Sequence, residues 1–373
     1  MKRRDILAKS AIASATVATV AGCRRFRGNS SGNSAPGVKT GLPIIRWDMP
    51  TSWPKSLVIF SGAETIAKRV SEMTDGRFII KAYAGGELVP PLGVLDAVQE
   101  GNAQCGHTAS YFYIGKSPAL AFATCVPFGF NAQQQNSWLY HGEGLTTIQK
   151  IYADNFNIIN FPAGNTGTQM GGWFKKEIKS LSDLQGLKMR IPGLGGQVMK
   201  RLGVNVQVLP GSEIYVSLGR GAIDAAEWIG PYDDEKIGLH NAAKFYCYPG
   251  WWEPGSTLDV LVNLRAWEKL PPEYQAAFKT AAYEANLNML CKYEALNGKT
   301  LNKLVKGGTK LVPYSQDILQ AAQKAAFEIL DDSAQKNVDF RKVYEQWKNF
   351  RENIYQWNST NELSFSKFVT GND

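Results

Sequence analysis

The sequence predicts an α/β protein of two lobes joined by a hinge, with long helices at its C-terminal end. Three observations carry that prediction. A chain of 373 residues and 41.1 kDa is longer than one compact core usually serves. From Ile44 to about Trp228, short extended runs alternate with helical periodicities, the pattern of βαβ units. Beyond Tyr314 the chain reads as helix alone. Hydrophobic residues at 44% and charged residues at 20% describe an ordinary globule.

Residues 1–23, MKRRDILAKSAIASATVATVAGC, read as an export signal: a basic start, an apolar stretch Ala11–Ala21 too short to span a bilayer, and a small-residue end. Arg3-Arg4-Asp5-Ile6-Leu7 resembles the twin-arginine signal, whose route carries folded proteins. Val20-Ala21-Gly22-Cys23 resembles a lipobox, which would place a lipid on Cys23; simple cleavage nearby, with Cys23 incidental, is the other reading. Residues 24–43 have the Gly/Ser/Asn composition of a flexible tether.

The first lobe is expected over 44–155. Ile44–Asp48 reads as a strand. Ala63–Thr74 reads as a helix with Ile66, Val70 and Met73 on one face and Gly76 as its stop. Phe78–Tyr83 is a strand, Pro91–Glu100 a helix and Gln104–Ala109 a strand. In such a unit a ligand binds beyond the strand ends, where Ser110-Tyr111-Phe112-Tyr113 follows. A helical stretch from about Asn131 to Asp154 closes the lobe.

The second lobe is expected over 156–255, with Phe156–Pro162 beginning it. Strands fall near Thr168–Phe174, Lys188–Ile191, Val204–Leu209 and Ala222–Trp228, and helices at Gly195–Leu202 and Ser212–Gly219. Ser180 or Ser182 offers a cap for a turn of helix between the first two strands. The acidic run Asp233-Asp234-Glu235 reads as a helix N-terminus. Thr257–Asn263 reads as a strand returning to the first lobe (about 256–285), and 286–313 returns to the second. Pro272–Tyr293 keeps helical spacing, Thr309–Pro313 is a last strand, and 314–373 holds helices at about Ser315–Lys336 and Asp339–Trp357.

Composition and motifs exclude several functions. The net charge is +8, but Lys2, Arg3, Arg4 and Lys9 against Asp5 account for three of those charges, and no basic cluster with interleaved aromatics points to nucleic acid. Cys105, Cys125, Cys247 and Cys291 form no CxxC pair, and folding before export favours thiols over disulfides. His107, His141 and His240 lack metal spacing, and neither GxSxG nor HExxH occurs. Gly193-Leu194-Gly195-Gly196 superficially resembles a phosphate loop, but Val198 stands at the third glycine position.

Arg190 is the anomaly. It lies inside the apolar run LKMRI, where a buried guanidinium needs a partner. Its planar donors suit a carboxylate brought from outside; an internal salt bridge is the other reading.

The blocks GNTGTQMGGWF, LSDLQGLKMR, IDAAEWIGPYDDEK and YPGWWEPG resemble the periplasmic solute-binding proteins of TRAP transporters, most closely the branch that binds monocarboxylate 2-oxo acids such as pyruvate. The likeness runs from Ile45 to the C-terminus. It implies a two-lobed periplasmic binding protein, not an enzyme, that clamps a small carboxylate with Arg190. It implies a cation beside the ligand, held by Gln169, the Glu227 carboxylate, the Trp228 backbone carbonyl and Glu253. Tyr113 becomes a ligand contact, and Phe112 replaces a family tyrosine. The closest relatives imply sodium and the lactate-binding cousins calcium; two carboxylates and a monoanion against one arginine balance calcium better. The partners implied are TRAP membrane subunits and a second copy of the chain exchanging a long helix, although the helices could equally pack on their own chain. Lactate with calcium, or an acidic amino acid such as glutamate with Glu253 facing its ammonium group, are alternatives. More remote is an enzyme using Glu227 as a base on a small acid.

Overall fold

The computed structural model describes residues 41–371, so the export signal, Cys23 and nearly all of the tether lie outside the described residues. The strands are β1 (Ile45–Pro50), β2 (Phe78–Tyr83), β3 (Cys105–Thr108), β4 (Ile158–Asn165), β5 (Trp173–Phe174), β6 (Lys188–Arg190), β7 (Asn205–Gln207), β8 (Ala225–Ala226), β9 (Phe245–Tyr248), β10 (Thr257–Asn263) and β11 (Lys310–Pro313). β1 and β2 are parallel and joined through the helix Ser61–Met73, because parallel neighbours need a crossover. A bridge from Thr51 to His107 ties this pair to the antiparallel sheet β3-β10-β4. Every residue of β10 is buried, as expected of a central strand covered on both faces. The second sheet runs β11-β9-β5-β8-β6-β7 and mixes both directions.

Strands expected at Phe78–Tyr83 and Thr257–Asn263 appear with those bounds. Two readings shift. Phe156–Pro162 does not open the second sheet: β4 pairs with β10 along its length, so the chain leaves the first sheet only after Asn165. The run Thr168–Phe174 is ladder-paired only at Trp173 and Phe174, because Gln169, Met170 and Gly171 send their amide hydrogens to the carbonyls of Glu253, Ile229 and Cys247. The helix read over Pro272–Tyr293 continues to Lys306 and packs against the helix Ser61–Met73, β4 and the short helix Pro231–Lys236. At 35 residues it is about 52 Å long, reaching from β4 of the first sheet to the helix Pro231–Lys236 that follows β8.

The acidic run does more than cap its own helix. Asp233 accepts the amides of Val58 and Ile59, at 3.0 and 3.3 Å, and the Tyr293 hydroxyl at 2.7 Å. Asp234 accepts the amides of Ile229 and Gly230, the Trp173 indole and the Tyr246 hydroxyl. Both are buried acids stabilised by donors rather than by a cation. Ser180, not Ser182, heads the turn Leu181–Leu184, with Asp183 completing a capping box. Cys105, Cys125 and Cys247 are buried thiols and Cys291 an exposed one.

The chain ends in the helices Gln316–Lys336, Val338–Thr360 and Glu362–Thr370. Phe340, Val343, Tyr344 and Trp347 anchor the second in the core, and the third buries no residue.

In the first sheet, Asp259 accepts Ser110 Oγ at 2.5 Å and Asn160 Nδ2 at 2.9 Å, and Tyr152 donates to Ser110 at 2.6 Å. Burial raises this carboxyl from an ordinary 3.8 to about 7, the two donors only partly opposing the shift. The folded state therefore holds the proton that the unfolded chain releases, so this group's contribution makes stability fall as pH rises from about 4 to about 7 and stay level above. Asp259→Asn should remove that slope: its urea midpoint should move up relative to the wild-type midpoint between about pH 4.5 and pH 7.5. A pH-independent gap would show that Asp259 is not held neutral.

Candidate functional site

Arg190 closes β6 between β7 and β8, and its position is fixed by ladder geometry. Arg190 lies opposite Ala226, and its carbonyl accepts the amide of Glu227 at 3.2 Å, so the residue after β8 is delivered to the arginine. The side chain is only 1% exposed. Nε donates to the Leu209 carbonyl at 3.0 Å; Nη1 donates to the Glu227 carbonyl at 3.0 Å and makes a close ion pair with Glu227 Oε1. The guanidinium lies over the Trp228 ring, 5.3 Å from its centre. Nη2 is buried and, among the described residues, has no hydrogen-bond partner.

The internal ion pair is thus present, and one donor of the same guanidinium is left over. One arm of the guanidinium is spent on Glu227 and the other is idle.

Beside it lie Gln169 and Glu253, 4% and 3% exposed. Gln169 Nε2 donates to Glu253 Oε2 at 2.7 Å and to Thr166 Oγ1 at 3.1 Å, and Ser256 donates to the same carboxylate oxygen at 2.6 Å. The backbones are laced together too, from Gln169 N to Glu253 O at 3.1 Å and from Gly250 N to Gln169 O at 3.0 Å. A Cβ at Gly250 would stand 2.5 Å from the Gln169 carbonyl oxygen, so only glycine lets the YPGWWEPG loop press this close.

In this cluster Glu227 Oε2 and Gln169 Oε1 are also buried without a hydrogen-bond partner among the described residues. Burial pushes the Glu227 carboxyl well above its ordinary range, with Arg190 opposing and Glu253 reinforcing the shift. Burial also raises Glu253 to about 7, against hydrogen bonding from Ser256 and the attraction of Arg190. Idle oxygens on a carboxylate and an amide, in a pocket of negative potential, are the donor set a hard cation takes. Gln169, Glu227 and Glu253 could hold one; among the described residues no group of three or more His, Cys, Asp or Glu does. The indole N–H of Trp228 is buried and unpartnered as well, a donor suited to an anion.

The aromatic triplet is arranged differently from the sequence expectation. The Tyr113 hydroxyl is engaged with Thr108 Oγ1 at 3.0 Å and the Leu95 amide at 3.2 Å. Tyr111 instead lies near the acids: burial holds its proton on, and the charges of Glu253 and Glu227 add to that shift. Phe112 packs edge-on against Tyr111, 4.9 Å between ring centres. The triplet forms a 3-10 turn, which separates neighbouring side chains by about 120°. Ser256, Thr166 and Trp53 also join the surroundings; Ser256 stands three residues beyond Glu253, and nothing in local sequence pointed to Thr166 or Trp53.

The glycine loop is filled by protein. Cβ atoms at Gly195 and Gly196 would collide with Trp252 and with the Ile191 carbonyl at 2.7 and 2.6 Å, and one at Gly193 would press on Tyr111 at 3.2 Å. These glycines serve packing and leave no room for a phosphate.

Breaking a buried ion pair from one side strands a charge. Arg190→Met should lower unfolding free energy by about 3–5 kcal/mol, and adding Glu227→Leu should restore most of it. Urea unfolding of the four members of this cycle measures the coupling; additive losses would mean that the pair is not formed in solution.

Residues 49–337 match the family described as bacterial extracellular solute-binding protein, family 7. The chain is 68% identical to a monocarboxylate 2-oxoacid-binding periplasmic protein of Nostoc sp., over 99% of both chains. A TRAP transporter solute-binding protein of Bordetella bronchiseptica, a dimer with calcium and picolinate in one active site, superposes with a TM-score of 0.87 at 46% identity, covering 88% of this chain and 98% of that one. A TRAP periplasmic solute-binding protein of Pseudoalteromonas atlantica, with bound sodium and pyruvate, gives 0.84 at 36% identity, covering 87% and 98%. No helix among the described residues is long and apolar enough to cross a membrane. This chain belongs to family 7 of the bacterial extracellular solute-binding proteins, the solute receptors of TRAP transporters, and is a receptor rather than an enzyme.

Proposed function

We propose that the receptor captures a monocarboxylate 2-oxo acid such as pyruvate together with a cation and hands it to TRAP membrane subunits. The observation that carries this reading is the convergence of one idle buried donor, Arg190 Nη2, with two idle buried acceptors, Glu227 Oε2 and Gln169 Oε1. Unmet polar atoms in a dry site cost stability, and a ligand supplying both an anion and a cation satisfies all three. The carboxylate takes Nη2. The cation takes Glu227, Gln169, Glu253 and the Trp228 carbonyl, and the ketone oxygen of the acid adds a ligand that a simple carboxylic acid lacks. We take the cation to be sodium, as in the pyruvate-bound Pseudoalteromonas relative, with calcium, found in the Bordetella relative, as the alternative.

In this reading the ligand closes two lobes built on the two sheets, with Tyr111 and Phe112 facing it from the first and Arg190 and Glu227 from the second. A homodimer through the C-terminal helices belongs to the same reading, supported by the exposed Phe365 and Phe368, 68% and 86% accessible, and by the Bordetella dimer. So does a periplasmic location, with the mature chain tethered by a lipid on Cys23.

Calorimetry of the dialysed protein with pyruvate, lactate, glutamate and propionate, each in sodium, calcium or chelator, tests the reading. Pyruvate should bind more tightly than propionate by about tenfold or more, and only with a cation present. Arg190→Lys should weaken pyruvate binding at least about tenfold, roughly 1.4 kcal/mol. Binding that is indifferent to cation, or preference for glutamate, would overturn it.

A further inference from the structure

Trp53 and His107 form a buried pair on the apolar side of the site. Trp53, in the loop after β1, is 1% exposed and lies against two aromatic residues of the site. Its ring centre is 6.0 Å from that of Phe112 and 6.5 Å from that of Trp228, whose ring also lies under the Arg190 guanidinium. Three separate segments thus bring Trp53, Phe112 and Trp228 into one apolar wall, with the polar cluster beyond Trp228.

The indole orientation is imposed from behind. Trp53 Nε1 donates to His107 Nδ1 at 2.7 Å, and His107 Nε2 lies 3.1 Å from the Ala163 carbonyl oxygen. An indole only donates, so Nδ1 must accept and Nε2 must carry the proton given to Ala163. Both nitrogens of a neutral ring are therefore satisfied, and the tautomer is fixed by its partners. A Cβ on Gly62 would stand 2.7 Å from Nε2 and 2.6 Å from the Ala163 oxygen, so the helix Ser61–Met73 seals the imidazole from water. Burial lowers the His107 pKa to about 4, which keeps the ring neutral and the pair intact across ordinary pH. The backbone is pinned as well, through Ser52 N to His107 O at 3.1 Å and Gly85 N to Trp53 O at 2.9 Å.

We infer that Trp53, held edge-on by His107, is the residue that limits the length of the ligand's side chain, and that His107 is its positioning residue. The inference rests on the 2-oxo acid reading above. A wall built from a bulky ring in a single rotamer admits a methyl group and rejects longer chains by steric fit. The same ring free to swing would admit them, since apolar pockets discriminate by roughly one to two orders of magnitude per methylene. The polar cluster sets what class of acid binds, and this pair sets how large it is.

Wild type, Trp53→Phe, His107→Leu and His107→Asn are titrated calorimetrically with pyruvate and with 2-oxopentanoate in sodium buffer, with folding checked by circular dichroism. Trp53→Phe and His107→Leu should each shift the ratio of the two Kd values about tenfold toward the longer acid. His107→Asn, whose side-chain oxygen stands where Nδ1 does, should keep the ratio within about twofold of wild type. An unchanged ratio in Trp53→Phe, or equal ratios in the Leu and Asn variants, overturns the inference; should His107→Leu fail to fold, Trp53→Phe decides by the same ratio. A wild-type protein that binds neither acid under any cation refutes the underlying 2-oxo acid reading instead, and this inference with it.

Discussion

A guanidinium buried to 1% exposure with one arm unpaired is the condition around which the rest of the molecule is arranged. Removing such a charge from water is costly, and a single close carboxylate offsets only part of that cost. Glu227 provides the partial offset, Leu209 and the Glu227 carbonyl add neutral acceptors, and the Trp228 face adds its quadrupole. What remains is a fixed, directional unmet demand, which in the proposed reading an incoming acid meets.

The fold holds that demand in place. The ladder between β6 and β8 sets Arg190 beside Glu227, and glycine at 250 lets the loop carrying Glu253 close on Gln169. Behind these lie acids satisfied without cations: Asp233 binds the start of the helix Ser61–Met73 region through Val58 and Ile59, and Asp234 gathers four donors. The contrast supports the proposed site. Buried carboxylates elsewhere have their donors, whereas Glu227 keeps an idle oxygen at the one place where Arg190 keeps an idle nitrogen.

Much of this was legible in the sequence because its signals are local. Arg190 within LKMRI announced a buried charge, and alternation of period located β2 and β10 to the residue. The misreadings concern what local pattern does not encode. Phe156–Pro162 looked like a new lobe, but its partner is β10, about a hundred residues away in sequence. Within YFY the sequence could not tell which hydroxyl turns where, since a 3-10 turn reorients each residue by a third of a circle; Tyr111 lies within the field of the acids while Tyr113 serves Thr108 and Leu95. The contribution of Asp233 was equally hidden, because an acid at a helix start normally caps its own helix. Trp53 and His107, more than fifty residues apart, meet only through the tertiary fold.

The central claim, that an external carboxylate completes the idle arm of Arg190, is tested most directly by a crystal structure of the protein grown with pyruvate and sodium. The account requires the ligand carboxylate at about 2.7–3.2 Å from Nη2, with a cation shared between the ligand and Glu227 Oε2. Pyruvate bound elsewhere, with Nη2 turned to a protein acceptor or to solvent, would contradict it.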